Sequence, residues 1–246
     1  MKKFNKKLLL LMGTFLVTVL VVIVLWNNAG NESSNNGSAG KDYITYYVED
    51  NIFAQVEKDG ENRLPLENPN EISGKVFVGW DKTVAEIQTG NIDEVYAKHI
   101  DTKGEVNVIA LPAAYAQEDE LVNLPLKLMG DVELCGIDII LAYDAEAIEY
   151  MSCTSLDADA TTNYDEEAGL IYLRYVSASN TTAEVDLANL QFKVKDDSAE
   201  SAKIEVHVKE AVALDESNQI IKADYGVIDG TIYIVATDNE NSEVAT

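Results

Sequence analysis

Through the C-terminal half of the chain, apolar side chains return at every second position. Leu190, Phe192 and Val194 alternate with Asn189, Gln191, Lys193 and Lys195, and Ile204, Val206 and Val208 alternate with Glu205, His207 and Lys209. A period of two puts successive side chains on opposite faces of a strand, so each run has one face made for a core. In "CGIDIILAYDAEAIEYMSC" the apolar face is Ile137, Ile139, Leu141 and Tyr143, while the other carries Gly136, Asp138, Ile140 and Ala142. "EVNVIAL", "LVNLPLKLM", "GLIYLRYVS" and "GTIYIVAT" add further runs, and no convincing helical spacing interrupts them. Residues 104–237 therefore predict an all-β fold of roughly eight or nine short strands closing into a two-sheet sandwich, for which a jelly-roll is the natural form.

Residues 42–101 differ in composition. They open on "YITYYV", contain "KVFVGW" and close on "DEVYAKHI", with turn signals at Asp59-Gly60, Asn68-Pro69-Asn70 and Thr89-Gly90-Asn91. This predicts a small β-rich module. Residues 27–41 are Asn, Ser and Gly with almost no apolar side chain, as in a flexible linker. Before them, Lys2, Lys3, Lys6 and Lys7 precede an uncharged apolar run over residues 8–26. As a helix that run spans roughly 28 Å, close to the hydrocarbon thickness of a bilayer. Residues 1–26 are expected to be an N-terminal signal anchor, a transmembrane helix with the lysines held inside and everything after it outside the cell membrane. If the segment is instead a cleaved signal peptide, the protein is secreted. Residues 238–246 form a polar tail.

Charge narrows the partners. Setting aside the four leading lysines, 14 bases face 43 acids, a net charge of −29. That field repels phosphates and excludes nucleic acid as a partner, besides keeping an extracellular protein soluble. The two cysteines, Cys135 and Cys153, can pair in an exported protein or stand as small buried hydrophobes. No nucleophile–base pair, HExxH, Walker A or glycine-rich dinucleotide pattern occurs, and His99 and His207 fall in separate modules. An enzyme is not expected, and no catalytic residue, metal ligand or cofactor is assigned. Residues 157–169 concentrate Asp157, Asp159, Asp165, Glu166 and Glu167, but Thr161 and Thr162 stand where an EF-hand loop needs an oxygen ligand and glycine, so the stretch reads as a solvated loop.

Three strands carry a family likeness. "CGIDIILAYDAEAIEYMSC" resembles the cohesin pattern G-x-x-x-x-L-x-Y-D followed by a small-residue corner and a second strand. "LANLQFKVK" resembles the cohesin strand L-A-x-L-x-F-x-V-K, and "DYGVIDGTIYIV" resembles its closing strand. The resemblance covers nearly all of residues 104–237 and implies a nine-stranded jelly-roll that binds dockerin-bearing extracellular proteins, in assemblies linked to polysaccharide breakdown. Carried over by position, it implies partner-binding roles for Asp138, Ile140, Asn163, Tyr172, Arg174 and Ser177, with Ile171, Leu173 and Tyr175 packed inward. Gly136 stands where the family offers a polar contact. Residues 42–101 resemble one Listeria–Bacteroides repeat of internalin-type surface proteins, through the opening tyrosines, Phe77-Val78-Gly79-Trp80 and Val95-Tyr96-Ala97-Lys98. His99 replaces the usual Trp or Tyr. The competing readings are a carbohydrate-binding module, which would need a planar row of aromatics, and a structural or adhesive surface protein.

Overall fold

The computed structural model describes residues 42–235, apart from 61, 66, 156–159 and 196–198. The expected membrane anchor, the linker and the polar tail lie outside the described residues, among which no helix is long and apolar enough to cross a membrane.

Strands β1 (Tyr43–Val48) and β2 (Asn51–Glu57) form a hairpin, followed by β3 (Lys75–Trp80), helix α1 (Val84–Thr89) and β4 (Glu94–Asp101). The sheet order is β2-β1-β4-β3, with β1 and β4 parallel. Alternation in "YITYYV" turns Ile44 and Tyr46 inward to full burial and leaves Tyr43, Thr45 and Tyr47 on the outer face. The inner face packs with Phe77, Trp80, Val95 and Ile87, the one residue of α1 that is buried. Helix α1 is a departure from the all-strand expectation for this region. Six residues are too few to show helical periodicity, and a local device starts the helix instead. Thr83 Oγ1 accepts from the Glu86 N–H at 3.2 Å while the Thr83 N–H donates to Glu86 Oε2 at 2.8 Å, a reciprocal capping box.

The rest of the chain builds two sheets from β5 (Val108–Ala110), β6 (Ala113–Ala116), β7 (Leu121–Met129), β8 (Leu134–Tyr143), β9 (Ile148–Ser155) and β10 (Ala160–Asp165). It continues through β11 (Leu170–Thr181), β12 (Val185–Val194), β13 (Ser201–Leu214), β14 (Ile220–Lys222), β15 (Gly226–Ile228) and β16 (Gly230–Ile234). One sheet runs β10-β11-β8-β13-β16-β6 with β14 alongside β13, and the other runs β15-β5-β7-β12-β9. The all-β sandwich is as read from the alternation, but the described residues hold seven and five strands rather than nine in all. The strands not read from the sequence are β6, β10, β14 and β15; β6, β14 and β15 are only three or four residues long, too short to display a period. Between the sheets Leu124, Leu126, Ile139, Leu141, Leu190 and Phe192 are almost wholly buried. Each such side chain contributes about 1.5–3 kcal/mol of apolar transfer free energy. Pro125 stands mid-strand because β5 pairs with β7 only at residues 127–129, leaving a free edge where a missing N–H breaks no ladder bond.

The two parts are fused through side chains. Ala113 and Val235 of the sandwich belong to the same apolar cluster as Ile44, Tyr46 and Trp80, and Val76 packs with Val108, Ala110 and Met129. Lys127 on β7 pairs with Glu71 and, at 3.1 Å, with Asp186. The Trp80 N–H donates to Tyr115 Oη at 3.0 Å. The N-terminal sheet thus covers the β16–β6 end of the larger sheet and leaves the outer face of β10, β11, β8 and β13 open.

Candidate interaction face

That open face is assembled from four strands of very different sequence position. β8 and β11 are antiparallel neighbours with Ile140 opposite Tyr172 and Asp138 opposite Arg174. β10 adds Asn163 beside Tyr172 and Thr161 beside Arg174, and β13 adds His207 beside Ile140 and Glu210 beside Asp138. Two rows of outward side chains result, Asn163–Tyr172–Ile140–His207 and Thr161–Arg174–Asp138–Glu210. Below each, Ile137, Ile139, Ile171, Leu173 and Tyr175 are at most 3% exposed, so the core fixes the orientation of the strands.

The chemistry of the face is mixed. Arg174 grips Asp138 with both nitrogens, Nε to Oδ1 and Nη2 to Oδ2, each at 2.6 Å. The hydrogen bonds and charge of Arg174 hold the Asp138 carboxyl below its ordinary range, against a smaller upward push from partial burial. The pair is solvent-exposed, worth about 0–1 kcal/mol to stability, and so free to exchange for a partner's groups. Lys209 Nζ lies 5.8 Å from the centre of the Tyr172 ring, a cation–π arrangement that steadies the ring. Gly136 continues the next row between Val176 and Val212, and a Cβ added there would meet Val212 Cγ2 at 3.0 Å. Where the resemblance implies a polar contact, this face is instead apolar, with Gly136 flanked by valines of which Val176 is 56% exposed. An interface core wants an aromatic, a guanidinium and apolar surface in such proximity.

Of the residues nominated by resemblance, Asp138, Ile140, Asn163, Tyr172 and Arg174 share the two rows. Ser177 does not. It falls in the irregular stretch of β11 between Val176 and Thr181, half-buried, its Oγ accepting from the Ser179 N–H at 3.5 Å. By the alternation of β11, which turns Tyr172, Arg174 and Val176 outward, Ser177 falls on the opposite parity from the two rows. Asn163, within the stretch 157–169 that reads as a solvated loop, stands on edge strand β10, because pairing with β11 organises "ATTNYD" without any apolar alternation. The alternation marks β13 as a strand but does not assign it to this face. His207, on the polar side of the β13 alternation, lies next to Ile140, with Nε2 3.3 Å from Glu205 Oε2. The alternation of β13 marked it as outward-facing, but nothing in the sequence made β13 the neighbour of β8.

The other chemical candidates disperse. Asp157 and Asp159 lie outside the described residues, and among the described residues no group of three or more His, Cys, Asp or Glu converges as a metal set. Asp165 accepts from the Ala168 N–H at 3.1 Å in the β10–β11 turn. Cys135 and Cys153 are unpaired, on strands of different sheets. Burial holds the imidazole of His99 below its usual pKa, helped by the charge of Lys75, and the ring packs on Phe77 at 5.7 Å between centres.

The family model "Cohesin domain" matches residues 107–234, which leaves 42–101 outside the match. No curated protein matches the chain. Among solved structures, the chain is similar to the seventh ScaB type I cohesin of Pseudobacteroides cellulosolvens, at 21% identity over 56% of this chain and 97% of the other, with a TM-score of 0.48. It is similar to a type I cohesin–dockerin complex of Clostridium thermocellum at 13% identity, covering 53% of this chain and 99% of the other, TM-score 0.45. A non-cellulosomal cohesin of the archaeon Archaeoglobus fulgidus is 18% identical, covering 54% of this chain and 93% of the other, TM-score 0.44.

Proposed function

The chain belongs to the cohesin domain family, and from that premise we propose that it is a membrane-tethered adaptor whose β10–β11–β8–β13 face docks a dockerin-bearing extracellular protein. Cohesins are non-catalytic protein-interaction domains, and this chain's work is accordingly binding. The observation that carries the reading is the open face itself, where Asn163, Tyr172 and Ile140 stand in one row and Arg174 and Asp138 in the next, uncovered by the N-terminal sheet. Tyr172 and Ile140 supply the apolar centre of an interface, and the Arg174–Asp138 pair supplies donors and acceptors that can be re-paired across it. Ser177 joins the proposed contact only at its margin. The remaining parts of the proposal are the anchor in residues 1–26, which would hold the face outside the cell membrane, the descent of residues 42–101 from a Listeria–Bacteroides repeat, and a role in gathering polysaccharide-degrading enzymes.

The test is a binding screen of the full-length chain, in detergent, against every dockerin encoded by the same organism. At least one is expected to bind tightly, and the double variant Tyr172→Ala, Asp138→Ala is expected to weaken that binding by about a hundredfold or more, the scale of a lost interface centre. A complete panel without binding, or a partner indifferent to the double variant, sinks the reading.

A further inference from the structure

We propose that the outer face of the four-stranded N-terminal sheet, with the cleft at its rim, binds a chain of neutral polysaccharide. This concerns a different sheet from the docking face and stands apart from that reading. On the outer face Ile52 of β2 lies opposite Tyr47 of β1, and Tyr47 lies beside Tyr96 of β4. The two tyrosine rings stack with centres 4.9 Å apart and planes 14° from parallel. Ile52 is 60% exposed and Tyr96 43%, so the row is apolar and wet at once.

Cross-strand stacking alone would account for the tyrosine pair. It does not account for where the row leads. The Asp81 N–H donates to the Tyr96 carbonyl and the Tyr96 N–H to Asp81 Oδ1, both at 2.8 Å, so the next position in the row is the end of β3. There the surface descends into a cleft of about 590 Å³ between the N-terminal sheet and the sandwich, its walls including Trp80, Tyr115 and Tyr233. Tyr115 and Tyr233 stack at 4.8 Å. Lys98, two residues beyond Tyr96 on the same face of β4, and Arg63 also line the cleft. Among the described residues neither has a carboxylate partner, although Arg63 donates to the Gly90 carbonyl at 3.1 Å. An exposed aromatic and apolar row thus runs into a cleft walled by the stacked Tyr115 and Tyr233, with Trp80 buried behind them, and lined by the donors Lys98 and Arg63.

Sugar rings match such a track, with C–H faces that lie against tyrosine and hydroxyl rims that accept from Lys and Arg. The length of the track, from Ile52 into the cleft, suits several linked rings rather than one. Charge selects a neutral chain. The exported part carries −29, which repels a polyanion at long range. In the cleft Arg63, Lys82 and Lys98 outnumber Asp81 and Glu200, so a polycation gains nothing there.

The experiment is retention of the full-length chain, held in a detergent without a sugar headgroup, on insoluble cellulose, xylan, mannan and β-glucan, with pectate as the charged control. Retention on at least one neutral polymer is expected, falling about tenfold or more in Tyr47→Ala, Tyr96→Ala. Lys98→Ala, at an exposed position, is expected to lower it several-fold and serves if the tyrosine variant does not fold. Retention on none of the neutral polymers, retention on pectate alone, or retention unchanged by folded variants overturns the proposal.

Discussion

Gly79 is the residue at which the N-terminal sheet meets the sandwich. Its φ of +117° is a conformation that side chains with a Cβ rarely adopt, and a Cβ built there would stand 3.1 Å from both Tyr115 Oη and Tyr233 Cε2. The position is thus fixed twice, by backbone and by the stacked tyrosines pressed against it. Gly79→Ala is expected to destabilise the protein by about 2–3 kcal/mol, read as a lower urea midpoint. The F-x-G-W sequence announced that this glycine mattered, yet not why, since both tyrosines come from segments distant in the chain. At the candidate face the same holds. The resemblance, carried over by position, put Tyr172 and Arg174 outward and Ile171 and Leu173 inward, and the structure has them so. The grip of Arg174 on Asp138 needed the register of two strands that no local pattern states.

At the scale of elements, the long strands were legible because burial on one face imposes their period, and every strand from which a run of three or more alternating apolar residues was read has its apolar side in a core. Helix α1 was legible only through its cap. The sequence Thr83-Val84-Ala85-Glu86 carries the T-x-x-E signature, and Gly90 closes the last turn by donating its N–H to the Glu86 carbonyl at 2.8 Å. With one buried residue, Ile87, the helix draws much of its definition from that cap. Thr83→Ala is expected to cost about 1 kcal/mol, while Thr83→Ser restores most of it, both by chemical denaturation. Strand β10 escaped the reading for the opposite reason. As an edge strand, exposed from Thr161 to Asp165, it has no apolar face to impose a period, and its pairing with β11 defines it.

At the scale of the whole molecule, the N-terminal sheet and the sandwich share apolar clusters across their junction. Trp80 lies in a cluster that includes Ala113 and Val235, and its N–H is held by Tyr115. Trp80 fluorescence, with Trp26 replaced by Phe, and far-ultraviolet circular dichroism are therefore expected to report a single, coincident urea transition; two separated transitions would show instead that the N-terminal sheet folds on its own. Within this molecule, the sequence by itself determined which residues form the long strands, which side of each of those strands is buried, and the acidic exterior, because each of these follows from local periodicity or from a sum over residues. Tertiary structure alone decided which strands are neighbours. β8 and β13 touch across some sixty-five residues of chain, and in that pairing His207 meets Ile140. It decided also that the N-terminal sheet covers the β16–β6 end and leaves the other end open. Such choices depend on the packing of whole faces against each other, a free energy spread over dozens of contacts and written in no single stretch of residues.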